Sequence, residues 1–186
     1  MHDPTAHNLL ALYQQIIALK LLPRTGWLQR GVARPESVAE HSFGVVALAL
    51  LVGDAVGGLD RGRLLAIAVL HDMAEALMSD LPASATRFLG ADVKHDAERR
   101  ALEELFARMP AAAEYLALWE EYAAGSSREA RLVKGLDQVE MLAQALAYER
   151  SGSRALAEFW PGGAGWSDEF PILRQLAEQL AALRRE

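Results

Sequence analysis

The stretch VLHDMAEALMSD, from Val69 to Asp80, places four ionisable side chains at the end of an apolar run that is typical of a buried helix. They are His71, Asp72, Glu75 and the terminal aspartate. Charged side chains are almost never fully buried unless they are paired or bind a metal. The stretch by itself is compatible with a satisfied His–Asp pair and with a metal site.

Helical geometry brings three of these side chains together. Successive residues of an α-helix are about 100° apart, so His71 and Glu75 lie about 40° apart around the axis, and Asp72 and Glu75 about 60°. We therefore expect these three to share one face. Asp80 would lie on the opposite face of an uninterrupted helix, but Pro82 disfavours α conformation in the residue before it. We expect the helix to end just before Asp80, which allows that side chain to fold back over the site.

Two further ionisable residues lie in apolar surroundings. His41 lies in the first turn of a helix, SVAEHSFGVVALALL, that becomes apolar on nearly every side. Asp137, in RLVKGLDQVEMLAQAL, is flanked by Leu136 and Val139. A buried carboxylate is costly without a partner, and each residue alone has a capped histidine or a structural ion pair as its alternative. Two imidazoles and two carboxylates from three helices form a suitable ligand set for a divalent first-row metal.

The pattern of the whole chain is that of an all-α protein. Alanine and leucine are abundant, and the alternation typical of β-strands is nearly absent. Helices are predicted over about residues 5–22, 37–55, 60–79, 92–108, 111–124, 126–150 and 168–185. The motifs Ser37-x-x-Glu40 and Ser126-x-x-Glu129 predict capping boxes, and Asp60 is a predicted N-cap. Loops are predicted between the first two helices, after Pro82 and over WPGGAGW (160–166).

The 186 residues fit a single domain over 1–186, with the motifs in about 10–150 and a C-terminal helical extension in about 151–186. The chain has no cysteine, which excludes thiol chemistry and cysteine-ligated metals and fits a reducing compartment. A net charge of −6 without a basic block argues against binding to nucleic acid. The longest apolar run, VVALALLV, is too short to cross a bilayer, and the first ten residues lack the pattern of a signal peptide. We therefore expect a cytoplasmic protein without a membrane partner.

The order His41, His71-Asp72, Asp137 resembles the H…HD…D ligand pattern of the HD-domain metal-dependent phosphohydrolases. Other segments are similar to the YfbR-like 5'-deoxynucleotidases within that family. These segments are PRTGW, RPESVAEHS, VLHDMAE, SDLP and LVKGLDQVEM, and with the ligands they cover about residues 10–150. The resemblance implies an HD-domain helical bundle with a metal site between its helices. It also implies a homodimer.

The resemblance implies a complete ligand set. His41, His71, Asp72 and Asp137 would hold one divalent ion, and their N₂O₂ donor set suits Co, Mn, Zn, Fe, Ni or Mg. Dinuclear members of the superfamily use additional histidines between the HD pair and the last aspartate. Only His95 lies in that interval here, so a single ion is expected.

The resemblance also implies roles for residues around the metal. Glu75 would assist the attacking water, Asp80 would contact the sugar side of the substrate, and Arg24 in PRTGW would bind the phosphate. These roles are chemically coherent, because a metal lowers the pKa of bound water and arginine presents a planar donor fork to phosphate. Lys134 is a further candidate for the phosphate, with a structural ion pair as its alternative. The implied reaction removes the 5'-phosphate from a (deoxy)ribonucleoside 5'-monophosphate to give a nucleoside and inorganic phosphate.

Two other functions stay open at this point. The chain could be a different HD phosphohydrolase, acting on a cyclic nucleotide or a guanosine polyphosphate, or it could be a non-catalytic nucleotide-sensing module. The complete ligand set together with Glu75 argues against the sensing module, because a decayed site usually loses at least one of these residues.

Aromatic residues bear on selectivity and packing. Some bacterial relatives place a tryptophan that helps to select the sugar directly after the loop arginine, whereas Thr25 follows here and Trp27 comes two residues later. The preference between deoxyribose and ribose therefore stays open. Tyr115, Trp119 and Tyr122 have the spacing of a core or helix-packing seam, with a base-stacking platform or a dimer interface as the alternatives.

Overall fold

The computed structural model describes residues 4–160 and 166–185, and the regular elements in this part of the chain are all helical. The prediction of an all-α fold is confirmed. The α-helices are α1 (Pro4–Ile16), α2 (Thr25–Leu28), α3 (Val38–Val56), α4 (Arg61–Leu70), α5 (Glu75–Met78), α6 (Ala83–Leu89), α7 (Ala91–Phe106), α8 (Ala112–Ala124), α9 (Arg128–Arg150) and α10 (Pro171–Arg185). Short 3₁₀ helices lie at Ile17–Lys20 and Ala157–Phe159.

Helices α3, α4 and α9 form the centre of the fold. Helix α3 packs along both α4 and α9, and α8 packs on α4 and α9 as well. The core between them contains fully buried apolar side chains such as Val45, Ala49, Ile67, Leu132 and Leu136. Because protein interiors are closely packed, this core fixes the three helices relative to one another. They are also the helices that carry, or lead directly into, the predicted metal ligands.

The start of α3 has the predicted capping box. The Ser37 hydroxyl accepts a hydrogen bond from the Glu40 backbone N–H (3.2 Å), and the Glu40 carboxylate accepts one from the Ser37 backbone N–H (2.7 Å). These bonds satisfy two backbone donors that a helix start otherwise leaves without partners. The cap therefore sets the first turn of α3, in which His41 lies.

The helix that leads into the HD pair ends earlier than predicted. Helix α4 ends at Leu70, and the Met73 and Glu75 N–H groups then donate to the carbonyls of Leu70 and Asp72, each over 3.1 Å. Such three-residue bonds belong to 3₁₀ geometry, which often marks a functional segment. Helix α5 stops at Ser79, whose φ of 67° is left-handed. The predicted end of the helix before Asp80 is confirmed, but the HD pair lies in a tightened turn rather than in a regular helix.

The start of α9 differs from the prediction by one residue. The N-cap is Ser127, whose hydroxyl accepts a hydrogen bond from the Ala130 N–H over 3.1 Å. The predicted capping box at Ser126 is therefore wrong. Gly125 ends α8 in the left-handed conformation, and the Ser126 N–H bonds back to the Glu121 carbonyl, so Ser126 still belongs to the end of α8.

Three other boundaries were not anticipated. Helices α2 and α6 occupy segments predicted as loops, and α10 begins at Pro171 rather than near residue 168. Proline is favoured at the first position of a helix because its missing N–H would have no partner there. Of the predicted WPGGAGW loop, residues 161–165 lie outside the described residues.

Helix α3 is long and apolar enough, by length and composition alone, to cross a membrane. The prediction that no apolar run is long enough to cross a bilayer was based on VVALALLV, which contains only eight of the 19 residues of α3. Within this fold the apolar residues Val45, Ala49 and Val52 are buried in the core that α3 forms with α4 and α9.

Candidate active site

The four predicted metal ligands converge at one point between α3, α9 and the turn that follows α4. The Nε2 atom of His41 lies 3.4 Å from Nε2 of His71 and 3.2 Å from Oδ1 of Asp137. The Oδ2 atom of Asp72 lies 3.3 Å from His71 Nε2 and 3.6 Å from His41 Nε2. Residues up to 96 positions apart in sequence therefore come together: His41, His71 and Asp137 offer donor atoms to a common centre, and the Asp72 carboxylate lies beside the two imidazoles.

The other nitrogen of each imidazole is already bonded to an acceptor. Nδ1 of His71 lies 2.8 Å from the Ala68 carbonyl oxygen, and Nδ1 of His41 lies 2.6 Å from a Glu140 carboxylate oxygen. A carbonyl oxygen only accepts, so Nδ1 of His71 must carry the hydrogen. The Nε2 lone pair is then free for a metal, which is the usual arrangement around a metal-bound histidine.

These distances fit a divalent cation. Two ligands at about 2.1 Å from an ion in tetrahedral geometry lie about 3.4 Å from each other, close to the separations at this centre. His41, His71 and Asp137 each offer a ligand atom within 4.8 Å of the others. Tyr122 donates a hydrogen bond to the second carboxylate oxygen of Asp137 over 3.2 Å, which leaves the first oxygen directed at His41.

The electrostatics of the cluster also favour a cation. Burial raises the pKa of Asp72, but His71 and Arg24 outweigh this effect and hold it well below its usual range. Burial lowers the pKa of His41, yet without a metal its hydrogen bonds to Asp137 and Glu140 raise the pKa to about 10. The carboxylates therefore draw positive charge to the centre, either as a proton on His41 or as a metal ion.

Glu75 lies beside the cluster at the start of α5. Its side chain is buried, and its Oε2 atom has no hydrogen-bond partner among the described residues. Burial together with the neighbouring charges of Asp72 and Asp80 raises its pKa to about 9. A nearby divalent cation opposes such a shift, because it stabilises the carboxylate. A buried, unpartnered carboxyl beside a metal site has the properties expected of a group that exchanges a proton with water.

The loop before α3 carries Arg24 to the site, and Asp80 reaches the same site from the segment after α5. The Arg24 guanidinium donates to Asp72 Oδ2 over 2.9 Å, and its backbone N–H donates to the Glu36 carbonyl over 2.9 Å. The next residue, Thr25, donates its backbone N–H to the Asp80 carboxylate (2.5 Å) and its hydroxyl to the Asp80 carbonyl (2.9 Å). Asp80 thus anchors the loop that carries Arg24, a role that its sequence position did not indicate.

A cavity of about 530 Å³ opens over the cluster, within the usual size range of small-molecule sites. Arg24, Glu75, Asp80 and Lys134 all line it. Lys134 donates to the Ala123 carbonyl over 2.8 Å, so this hydrogen bond goes to a backbone oxygen and not to the carboxylate of an ion pair.

Lys94 and His95, at the start of α7, also line the cavity. Lys94 pairs with Glu98 over 2.9 Å, and the His95 ring stacks on Trp119 with 5.2 Å between centroids. The sequence around them indicates a mostly solvated helix face whose first turn could close over a ligand. The packing of α7 against α5 and α8 places this turn at the cavity, as that alternative predicts.

The aromatic residues lie both in the core and along the cavity. Trp119 is buried and Tyr115 and Tyr122 pack against the core, as expected of a packing seam, and Trp119 and Tyr122 also line the cavity. Trp27 is also buried, packs on Tyr148 with 5.4 Å between ring centroids, and does not line the cavity. Trp27 is therefore a packing residue and not part of the cavity wall.

The fold and the ligand cluster together define a class of protein. The family model described as HD domain matches residues 16–161, and the chain belongs to this family. Sequence relatives include the 5'-deoxynucleotidase HDDC2 of Bos taurus, which is 37% identical over 183 residues, or 96% of this chain and 87% of the relative. The 5'-deoxynucleotidase hdd1 of Schizosaccharomyces pombe is 33% identical over 184 residues, or 90% of each chain.

Solved structures show the same fold. A conserved hypothetical protein from Pyrococcus furiosus is 38% identical and superposes with a TM-score of 0.77 over 95% of this chain and 99% of the other. A "Predicted metal-dependent phosphohydrolase" from Magnetospirillum magnetotacticum is 25% identical, with a TM-score of 0.69 over 97% of each chain. The resemblance that rested on short motifs thus extends over nearly the whole chain.

Proposed function

We propose that the protein is a metal-dependent 5'-nucleotidase that hydrolyses (deoxy)ribonucleoside 5'-monophosphates to the nucleoside and inorganic phosphate. One observation carries the proposal: His41, His71, Asp72 and Asp137 converge beside Arg24 at the floor of a cavity large enough for a nucleotide. The curated relatives that cover the chain are described as 5'-deoxynucleotidases, which supports the same substrate class.

His41, His71, Asp72 and Asp137 are the residues proposed to hold the metal ion. When bound, a divalent ion supplies Lewis-acid neutralisation of the phosphoryl oxygens and acidifies a coordinated water. The ligand set suits several metals, and cobalt, manganese, zinc, iron, nickel and magnesium are all candidates.

The other residues then divide the chemistry among them. Arg24 holds the phosphate through its planar donor fork and neutralises charge that develops on the phosphoryl oxygens. Glu75 accepts the proton of the attacking water at Oε2, which has no hydrogen-bond partner among the residues that the structure describes. Asp80 lies next to the sugar side of the substrate while it anchors Thr25, and Lys134 and Lys94 contribute positive charge along the cavity wall.

A phosphate-release assay tests this function. The protein is stripped with a chelator and incubated with each deoxy- and ribonucleoside 5'-monophosphate in the presence of Co²⁺, Mn²⁺, Mg²⁺ or Zn²⁺. We expect release that depends on the metal and stops on addition of chelator. Asp137→Ala should lose metal binding and release, whereas Asp96→Ala, on the exposed face of α7, should retain both. Absence of release from every pair of nucleotide and metal would overturn the proposal.

Competing substrates distinguish this function from the two alternatives. Cyclic nucleotides and guanosine polyphosphates are assayed beside the monophosphates under the same metal conditions. Faster turnover of either class would assign the chain to another kind of HD phosphohydrolase. Nucleotide binding without any turnover would identify a sensing module.

The proposal includes a homodimer in the cytoplasm. The dimer is supported by an apolar groove of about 310 Å³ to which the exposed side chains of Tyr13, Phe43 and Val69 contribute. The cysteine-free composition fits a reducing compartment. Fractionation of cells that express a tagged protein checks the location.

A further inference from the structure

One helical turn of α9 contacts both nitrogens of the same imidazole. Asp137 and Glu140 are three residues apart in the segment DQVE, and residues at this spacing share a helix face. Asp137 lies 3.2 Å from Nε2 of His41, while Glu140 lies 2.6 Å from its Nδ1. The His41 ring is therefore held at its Nε2 end by the proposed metal ligand Asp137 and at its Nδ1 end by Glu140, which is not a proposed ligand.

Glu140 occupies a site that is unfavourable for a carboxylate on its own. Its side chain is buried, and a carboxylate oxygen of Glu36 lies within 4.8 Å of both His41 and Glu140 ligand atoms. Trp27 donates its indole N–H to Glu36 over 2.9 Å, so this second carboxylate is itself held in place. Two carboxylates close together in a buried site are costly unless a positively charged or hydrogen-donating group lies between them. The Nδ1 edge of His41 is such a group.

The facing helix leaves space for this carboxylate. Gly44 lies in the middle of α3, where its φ is ordinary and no turn requires glycine. A Cβ atom at this position would lie 2.7 Å from Oε1 and 2.9 Å from Cγ of Glu140. The glycine is thus needed for space, although alanine is the better helix former.

We propose that Glu140 is a positioning residue of the metal centre and that Gly44 provides the space it needs. Its carboxylate accepts the Nδ1–H of His41, which holds the ring in the tautomer with a free Nε2 and makes that nitrogen a stronger metal donor. The inference rests on the metal-dependent function proposed above, but it concerns metal affinity and not the substrate.

Zinc affinity of the full chain tests the role of Glu140. The protein is stripped with a chelator and titrated with Zn²⁺ by calorimetry. Glu140→Leu removes the acceptor and should weaken zinc binding by about 10- to 100-fold, the usual effect of losing such a partner. Glu140→Gln keeps an oxygen that accepts the Nδ1–H and should bind zinc more tightly than Glu140→Leu.

A pair of glycine substitutions in α3 separates positioning from general crowding. Gly44→Ala should weaken zinc binding because it displaces the Glu140 side chain. Gly53→Ala is the matched control, because it lies in the same helix and its Cβ would instead meet Leu64 in the core, away from the metal centre. It should lower the melting temperature without changing zinc affinity.

The ¹H–¹⁵N signals of the histidine rings in the zinc-loaded protein give a further readout. We expect a hydrogen-bonded Nδ1–H signal from His41 in the wild type and in Glu140→Gln, and its loss or large shift in Glu140→Leu. Zinc affinity of Glu140→Leu equal to that of the wild type would overturn the positioning role alone. Equal weakening by Gly44→Ala and Gly53→Ala would also overturn it. The two proposals can fail separately. If zinc binding depends on Glu140 but the protein releases no phosphate from any nucleotide, only the proposed nucleotidase function is contradicted.

Discussion

Glu75 illustrates how the site is built at the scale of single residues. A buried carboxyl oxygen without a partner costs free energy, and native proteins contain few such groups. Here Glu75 Oε2 has no hydrogen-bond partner in the described part of the chain, and the side chain is close enough to Asp72 of the HD pair for their charges to interact. The same residue is thus a weak point of the fold and the strongest candidate for proton transfer.

Glu75→Gln should bind metal normally but lose turnover. The amide keeps the size of the side chain but cannot accept a proton from water, so we expect kcat to fall by about 10²- to 10⁴-fold. Calorimetric metal titration and steady-state phosphate release measure the two quantities. Asp92→Asn is the matched control, because Asp92 lines the same cavity without a proposed chemical role. Unchanged kcat in Glu75→Gln would exclude this residue as the base.

Arg24 should contribute mainly through the geometry of its guanidinium. Arg24→Ala should lower kcat/KM by about 10²- to 10³-fold, because a preorganised donor to the phosphoryl oxygens is lost. Arg24→Lys should recover only part of this, since an ammonium cannot reproduce the planar fork.

The control for Arg24 comes from the same loop. Arg30→Ala removes an arginine that pairs with Glu158 outside the cavity, and it should leave kcat/KM unchanged. An equal effect of Arg24→Ala and Arg30→Ala would show that the loop, rather than the Arg24 side chain, is responsible.

At the scale of elements, helix ends decide where the functional side chains lie. The capping box of α3 places His41 one turn into that helix. The cap of α9 sets the start of the helix that carries Asp137 and Glu140. The short helix α2 is held by Asp80, a residue 55 positions from Thr25. Local sequence suffices for the first of these, whereas the other two depend on neighbouring elements.

The two serines before α9 give a direct test of the observed cap. Ser127→Ala should lower the free energy of unfolding by about 1 kcal/mol, because the Ala130 N–H loses its acceptor. Ser126→Ala should change it by less than about 0.5 kcal/mol, since the hydrogen bonds of Ser126 to Glu121 and Arg131 are made by its backbone. Urea unfolding curves of the two variants provide the measurement. The reverse order would support the capping box expected from the sequence.

At the scale of the whole molecule, one face remains apolar after the core has formed. Tyr13, Phe43 and Val69 contribute from α1, α3 and α4, with exposed fractions of 50%, 74% and 47%. They line one groove on the described part of the chain, and grouped exposed apolar residues commonly mark an interaction site. This groove, rather than the seam around Trp119, is the surface on which we expect a second copy to pack.

Phe43→Glu should therefore shift the protein from dimer to monomer. A buried aromatic anchor of an interface commonly contributes enough that its loss weakens association by about 10-fold or more. Sedimentation velocity over a range of protein concentrations measures the change. Phe88→Glu is the control, because Phe88 is 80% exposed on α6 and does not line the groove. A wild-type protein that is monomeric throughout this range would contradict the expectation.

The sequence by itself was sufficient for the all-α fold and the cap of α3, and its resemblance to a known family joined the four candidate ligands into one set. The first two features depend on local periodicity and on hydrogen bonds between residues three apart. The cost of leaving charge unpaired among apolar residues marks each ligand as unusual but does not group the four together. Only the tertiary structure determined that Glu140 contacts His41 and that Asp80 anchors the loop of Arg24. Such contacts join residues tens of positions apart in sequence. Which side chains meet there depends on how the helices pack, and no local pattern along the chain encodes that packing.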